Sequence, residues 1–419
     1  MRNKKLLFMG GGILLIILSL FVVGCENGSS VESTDSTPVP VSYTVTFHPN
    51  GGTGTMQPIT SSGGYLPACT FTREGYAFTG WGTDPSNGGT YPDKGYFKPT
   101  SDTTLYARWG TPKASVTTDS GTTTDYATIV AALDAAPANS TITLKDDAEL
   151  TERLYVNQKI TLDLNGYNIT TNMPAAAAGP FLTVYDSLTI KDSGTNGSIS
   201  HNGNFATIIN CRELVIEDGT IENTGTKYAI ELVGFTGQSM SLLVKGGKIK
   251  AKVSAIHTDA SDTSITVTGG TITSETGNAI SGSDDLIISG GTITSTQNYA
   301  INYCNKLTLS GAPVISGKNA DIRFSNLYFD SNLKNIIAGK LEMAPPLKIT
   351  DGKETTSYYY NTTVFTAGEG YTITQEDVNK LKFVDSTGAD YKWTSSSATE
   401  TLIFKLDSSK KAIVIGEST

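Results

Sequence analysis

The sequence predicts an all-β chain, most of it a parallel β-helix. Three observations carry this. Of 419 residues, 43 are glycine and only 17% are charged, and the heavy load of Thr and Ser suits short strands joined by turns. A motif of the form L-x-I-x-x-G-x-I recurs from residue 188 onward, as stacked coils of a solenoid require. Only one segment, 125–136, has clear helical spacing. The length leaves room for two or three domains.

The chain opens with Arg2, Lys4 and Lys5, then an apolar stretch from Leu6 to Val23 that closes in Val22-Val23-Gly24-Cys25. This run resembles a bacterial lipoprotein signal ending in a lipobox. Small residues before the cysteine fit the signal peptidase, and the thiol takes a diacylglyceryl group. The resemblance implies that residues 1–24 are removed and that Cys25 becomes a lipid-modified first residue. An uncleaved membrane helix is the competing reading, since 18 apolar residues nearly span a bilayer, but it leaves Gly24-Cys25 without a role. Several acyl chains on one residue anchor firmly, so the expected place is the bacterial cell envelope, at the outer membrane or cell surface, with the membrane as first partner.

Loss of the signal removes three positive charges and moves the net charge from −9 to −12. No basic patch remains, which excludes nucleic acid as a partner class. Residues 25–42, rich in Ser, Thr and Pro, read as a flexible tether. Cys69, Cys211 and Cys304 are then the remaining cysteines, too few and too scattered for a disulfide framework.

Residues 43–110 come next. Tyr43, Val45 and Phe47 alternate as in a strand, and Asn50-Gly51-Gly52 reads as a turn. Tyr76, Phe78 and Trp81 form a second aromatic alternation, and Leu105-Tyr106-Ala107-Arg108-Trp109 a last strand. So many aromatics in a short segment can fill a compact core. The segment is similar to the internalin B-repeat, also called the Listeria–Bacteroides repeat. The similarity runs through Val45-Thr46-Phe47, Asn50-Gly51-Gly52, Thr72-Arg73-Glu74-Gly75-Tyr76, Phe78, Gly80-Trp81 and Thr104 to Trp109. It implies a small β-grasp-like fold used in surface proteins as a spacer or interaction unit, with no catalytic residues.

Residues 117–350 are the expected solenoid. Asp125 is placed to cap a helix whose apolar residues Ile129, Leu133 and Ala136 share a face. Strand patterns follow at 141–144, 154–156 and 160–164. The repeated motif then places Ile190, Ile216, Val244, Val267, Ile288 and Leu309 at equivalent positions, with intervals of 26, 28, 23, 21 and 21 residues. A second marker keeps step: Ala229-Ile230, Ala255-Ile256, Ala279-Ile280 and Ala300-Ile301. Three short strands per coil follow, with alternate apolar residues stacked inward and the helix covering the open first coil. Cys211 and Cys304 fall at equivalent turn positions four coils apart, ~19 Å and beyond disulfide reach. Ser239, Asp262 and Ser283 occupy the same position in the coils between. The pattern, with its Ile160 to Gly166 turn, resembles the right-handed, pectate-lyase-like (pectin lyase-like) β-helix. Asp351-Gly352 reads as the end of the repeats, and 351–419 as a C-terminal β cap or small β domain. Tyr358-Tyr359-Tyr360 reads as part of a strand with alternate residues on opposite faces, stacking on sugar rings being the competing reading.

The resemblance implies lyase or hydrolase chemistry on polysaccharides as one option. A lyase needs a basic residue beside carboxylates that hold Ca²⁺ against an acidic sugar. The candidates are Asp259, Asp262, Asp284 and Asp285, with Arg212, Arg323 or Lys245. His201 and His257 stand isolated, and the Asp-Asp, Gly-His-Gly and Arg-x-Lys set of hydrolases with this fold is missing apart from Asp284-Asp285. No zinc spacing, phosphate loop or Ser-His-Asp arrangement appears, so no catalytic residue and no cofactor is assigned. Acidic residues on solenoid turns commonly serve only to keep the surface wet. Three functions stay open: non-catalytic binding or adhesion to a glycan or host surface protein, which the sequence favours; a polysaccharide lyase or glycoside hydrolase; and an envelope spacer.

Overall fold

The computed structural model describes residues 41–86, 90–171, 179–234, 237–324, 335–351, 362–394 and 399–418. The apolar segment, Cys25, most of the tether and Tyr358 to Tyr360 lie outside the described residues.

Residues 43–110 build a five-stranded sheet. Its order is Ile59–Ser61, Tyr43–His48, Thr103–Gly110, Ala77–Gly82 and Thr90–Tyr91. The first and last long strands run parallel at its centre, with Phe47 opposite Leu105, as the β-grasp-like expectation requires. Alternation turns Val45, Phe47, Leu105 and Ala107 into one core around the fully buried Trp81. Rings of Phe47, Phe71 and Phe78 lie 5.0, 5.9 and 4.9 Å from the Trp81 ring. These aromatics are core, while Tyr65, Tyr76 and Tyr96 stay exposed.

The remainder is a parallel solenoid of three sheets. Sheet 1 carries the L-x-I strands, and its inward column Ile190, Ile216, Val244, Val267, Ile288, Leu309 is in register from coil to coil. Sheet 2 carries the Ala-Ile strands, with Ile230, Ile256, Ile280 and Ile301 in register. Sheet 3 has eight strands, one per coil as far as Val314–Ser316, and stacks Ile221, Ile249, Ile272 and Ile293. All these side chains are fully buried, and each contributes roughly 1.5–3 kcal/mol of transfer free energy. The 28-residue interval between Ile216 and Val244 is absorbed by the longer connections from Asn223 to Ile230 and from Leu232 to Met240, outside the ladders. At the turn between sheets 1 and 3, Gly247, Gly270 and Gly291 have φ of 71°, 76° and 82°. A Cβ there would lie 2.5–2.7 Å from a backbone oxygen of the coil before, so conformation and space both demand glycine.

Both ends of sheet 1 are closed by antiparallel strands. Ala114–Thr117 pairs with Ser140–Leu144, and Thr123–Tyr126 with Ala114–Thr117. Helix α1 (Ile129–Ala135) packs beside them. Its cap is Thr128, whose hydroxyl accepts from the Ala131 amide at 3.1 Å. Asp125 is not the cap: it sits in the preceding strand and pairs with Lys145 at 2.6 Å. At the other end, parallel pairing runs past Asp351, with Ile337 opposite Ala367 and Ile349 opposite Phe383. The repeats therefore do not stop at Asp351-Gly352. The last coils lose the glycine signature but keep inward apolar residues, which is all a ladder requires. Ala412–Glu417 then caps Thr363–Ala367 antiparallel. Cys304 stands opposite Ser283, and Cys211 and Cys304 are free and buried. Burial pushes the Cys304 thiol up to about 12, which makes it an inert filler.

Candidate ligand-binding face

The two sides of each sheet-2 strand have different tasks. Inward residues fill the core, and outward residues from successive coils form one row. Ile209, Glu231, His257, Ser281, Asn302 and Arg323 follow one another along it in register. Tyr155 heads the row, so at ~4.8 Å per coil it extends ~34 Å to Arg323.

Aromatic rings gather on this row in three places. Tyr155 and Tyr185 stack with centroids 6.4 Å apart, both exposed. Further along, Tyr228 lies over His257 at 4.1 Å, with planes 22° apart, and the Lys227 ammonium sits 5.1 Å from the Tyr228 ring. His257 Nε2 is 3.1 Å from the Asp259 carboxylate. Burial, then the nearby Glu231 and Asp259, raise the Tyr228 phenol above its ordinary value, so its proton stays on as a hydrogen-bond donor. The third group is Tyr299, Tyr303 and Arg323. The Arg323 guanidinium lies 5.5 Å from the Tyr299 ring and 4.8 Å from the Tyr303 ring, and Nη1 donates to the Tyr303 hydroxyl at 2.7 Å.

The sequence candidates divide between two places. Asp262, Asp284 and Asp285 line an open depression of about 460 Å³ on the neighbouring turn, together with Ser239, Ser241 and Ser264. Asp284 accepts from Asn305 Nδ2 at 2.7 Å, and Asp285 pairs with Lys306 at 2.9 Å. Asp259 stands apart from them, on the sheet-2 row beside His257. Among the described residues no group of three or more His, Cys, Asp or Glu gathers where it could hold a metal ion. The proposed bases are also dispersed. Lys245 pairs with Glu217 at 3.0 Å, Arg323 belongs to the tyrosine group, and the exposed Arg212 lies three coils, ~14 Å, before Asp284.

Irregular mutual spacing hides the tyrosines of the row in the sequence. A signal was present nonetheless: Tyr228 and Tyr299 each immediately precede an Ala-Ile marker, at the corner where a coil enters sheet 2.

In the N-terminal module the shared motif residues have structural tasks. Trp109 Nε1 donates to the Pro49 carbonyl at 3.0 Å, and Asn50 Nδ2 bonds the Pro85 and Ala107 carbonyls at 3.0 Å. A Cβ on Gly52 would lie 2.6 Å from the Trp109 ring, and Arg73 covers the Tyr76 ring at 4.0 Å. Residues 43–108 match the family model of the Listeria-Bacteroides repeat domain. This module is a Listeria-Bacteroides repeat. The repeat occurs in surface proteins, and together with the solenoid it marks a surface-type protein. No curated protein and no solved structure matches the chain. No helix among the described residues is long and apolar enough to cross a membrane.

Proposed function

We propose that this protein is held at the bacterial cell surface by a lipid on Cys25 and binds a glycan without cleaving it, along the outward row of sheet 2. The tyrosine-lined row supports this reading. Flat rings spaced along a rigid ladder offer stacking platforms to successive sugars, while Glu231, Asp259, Asn302 and the Tyr228 hydroxyl supply hydrogen bonds between them. A solenoid suits a long ligand because its surface repeats with the coil. The dispersion of Asp262, Asp284 and Asp285 from every proposed base argues against an acid–base site in that depression.

Two measurements test the parts separately. In cells, Cys25→Ser should move the protein from the membrane to the soluble fraction; retention in the membrane would remove the lipid anchor. In vitro, the full chain should bind at least one polysaccharide saturably with no release of reducing ends or unsaturated product, with or without Ca²⁺. Product release that Asp284→Asn or Asp285→Asn abolishes would replace binding by lyase or hydrolase activity. Absence of any glycan binding would leave a host-protein partner or a spacer role.

A further inference from the structure

The last group on the row has features that core packing does not account for. Tyr303 has a φ of 59°, a region that bulky residues rarely enter. It sits at a register irregularity between Asn302 and Cys304, and the bulge turns its ring outward, 45% exposed. The coil before makes the same bend at Gly282, φ 80°, so the corner sets the backbone, and what needs a reason is a tyrosine where glycine fits without strain.

Two asparagines occupy these two coils. Asn302 is 8% exposed and precedes Tyr303; Asn278 is 9% exposed and stands one coil before Tyr299. In both, the side-chain oxygen is buried and has no hydrogen-bond partner. An unsatisfied buried acceptor costs about 1–3 kcal/mol, which an amide recovers by turning its oxygen outward to a ligand's donor.

We infer that the coils carrying Asn278, Asn302 and Arg323 form a subsite for one ring of a neutral polysaccharide. The ring stacks on Tyr303, and a hydroxyl donates to the neighbouring Asn302 oxygen as that amide turns outward. Arg323 acts as a positioning residue: lying against both tyrosine rings and bonded to the Tyr303 hydroxyl, it fixes the platform's angle. A neutral ligand fits the electrostatics. The carboxylates of Glu231 and Asp259 and the cations of Lys227 and Arg323 are interspersed along the row, so it offers a polyanion no continuous positive track, and the chain's net charge of −9 disfavours one further. This inference rests on the glycan-binding reading of sheet 2 and adds the place and the sugar class.

The test is calorimetric titration of the full chain in detergent with neutral polymers (a β-glucan, a mannan, a galactan) and anionic ones (polygalacturonate, hyaluronan). Tyr303→Gly is the informative variant, because glycine relieves the positive φ and the fold is retained or stabilised. It should weaken the neutral polymer about tenfold. Tyr303→Phe keeps the platform and should lose about threefold, through the freed Arg323, as should Arg323→Met. Tyr185→Ala, at the far end of the row, separates the two ideas. If Tyr185→Ala weakens binding and Tyr303→Gly does not, the subsite is wrong and the glycan-binding face stands. Tighter binding of the anionic polymers would overturn the neutral class. If no polymer binds the wild type, both readings fail together.

Discussion

Single side chains hold the coils at their corners. Asp163, buried at the end of a sheet-1 strand, accepts from the Asn165 amide at 3.0 Å, the Ser193 amide and hydroxyl at 2.9 Å, and Lys191 Nζ at 3.1 Å. Burial works to raise its carboxyl, but the bonds from Ser193, Lys191 and Asn165 outweigh it and hold the group below the usual carboxylate range. A depressed carboxylate contributes stability that is present above its unfolded value near 4 and is lost as pH falls through the folded value. Asp163→Asn should therefore lower stability by about 1–3 kcal/mol at neutral pH and flatten its decline below about pH 4. Urea melts between pH 3 and 7 check both, and a parallel decline in the variant would assign the acid sensitivity elsewhere. At this scale the sequence showed the Leu162-Asp163-Leu164-Asn165-Gly166 turn but not its partner. Ser193 lies one coil on, and only stacking brings it there.

Strands and turns come next. The apolar alternation, the glycine pairs and the Ala-Ile marker were all legible, because a ladder in strict register repeats its chemistry. Two features were not. Asp125 has the residue type of a cap, but the strand Thr123–Tyr126 takes it up and Thr128 caps α1 instead, since the antiparallel partner for the exposed edge outweighs one capping bond. Parallel pairing beyond Asp351 has no sequence signature, since those coils are joined by longer connections without the glycine pair. Close contact between coils sets the glycine requirement. Gly282 has a φ of 80°, and a Cβ there would strike the Thr258 carbonyl oxygen. Gly282→Ala should cost about 2 kcal/mol or more, read as a lower urea midpoint with an unchanged slope; a neutral result would show that the two coils separate easily.

The whole molecule must solve the problem of its ends. A parallel ladder finishes in unpaired backbone that recruits other chains. Here Ala114–Thr117 closes one end of sheet 1 and Ala412–Glu417 the other. Truncation after Asp407 should therefore expose Thr363–Ala367 and shift the protein to higher oligomers than the full chain forms, read by size-exclusion chromatography with light scattering. A truncated chain that keeps the full chain's oligomeric state would show that Thr399–Asp407 or another segment covers the edge unaided. The ~34 Å row of sheet 2 also belongs to this scale, because no single coil contains a site.

The sequence by itself determined what repeats or stays local: the all-β class, the coil register, the repeat module with its aromatic core, and the inert turn position of Cys211 and Cys304. Periodicity and residue type state these directly. Only the tertiary structure decided which polar and aromatic residues share a surface. It split the four aspartates between a turn depression and the sheet-2 row, and it assembled Tyr155, Tyr185, Tyr228, His257 and Tyr303 into one face. The physical reason is stacking. Residues twenty to thirty positions apart become neighbours at ~4.8 Å, and connections of unequal length between the strands hide that spacing from the linear order.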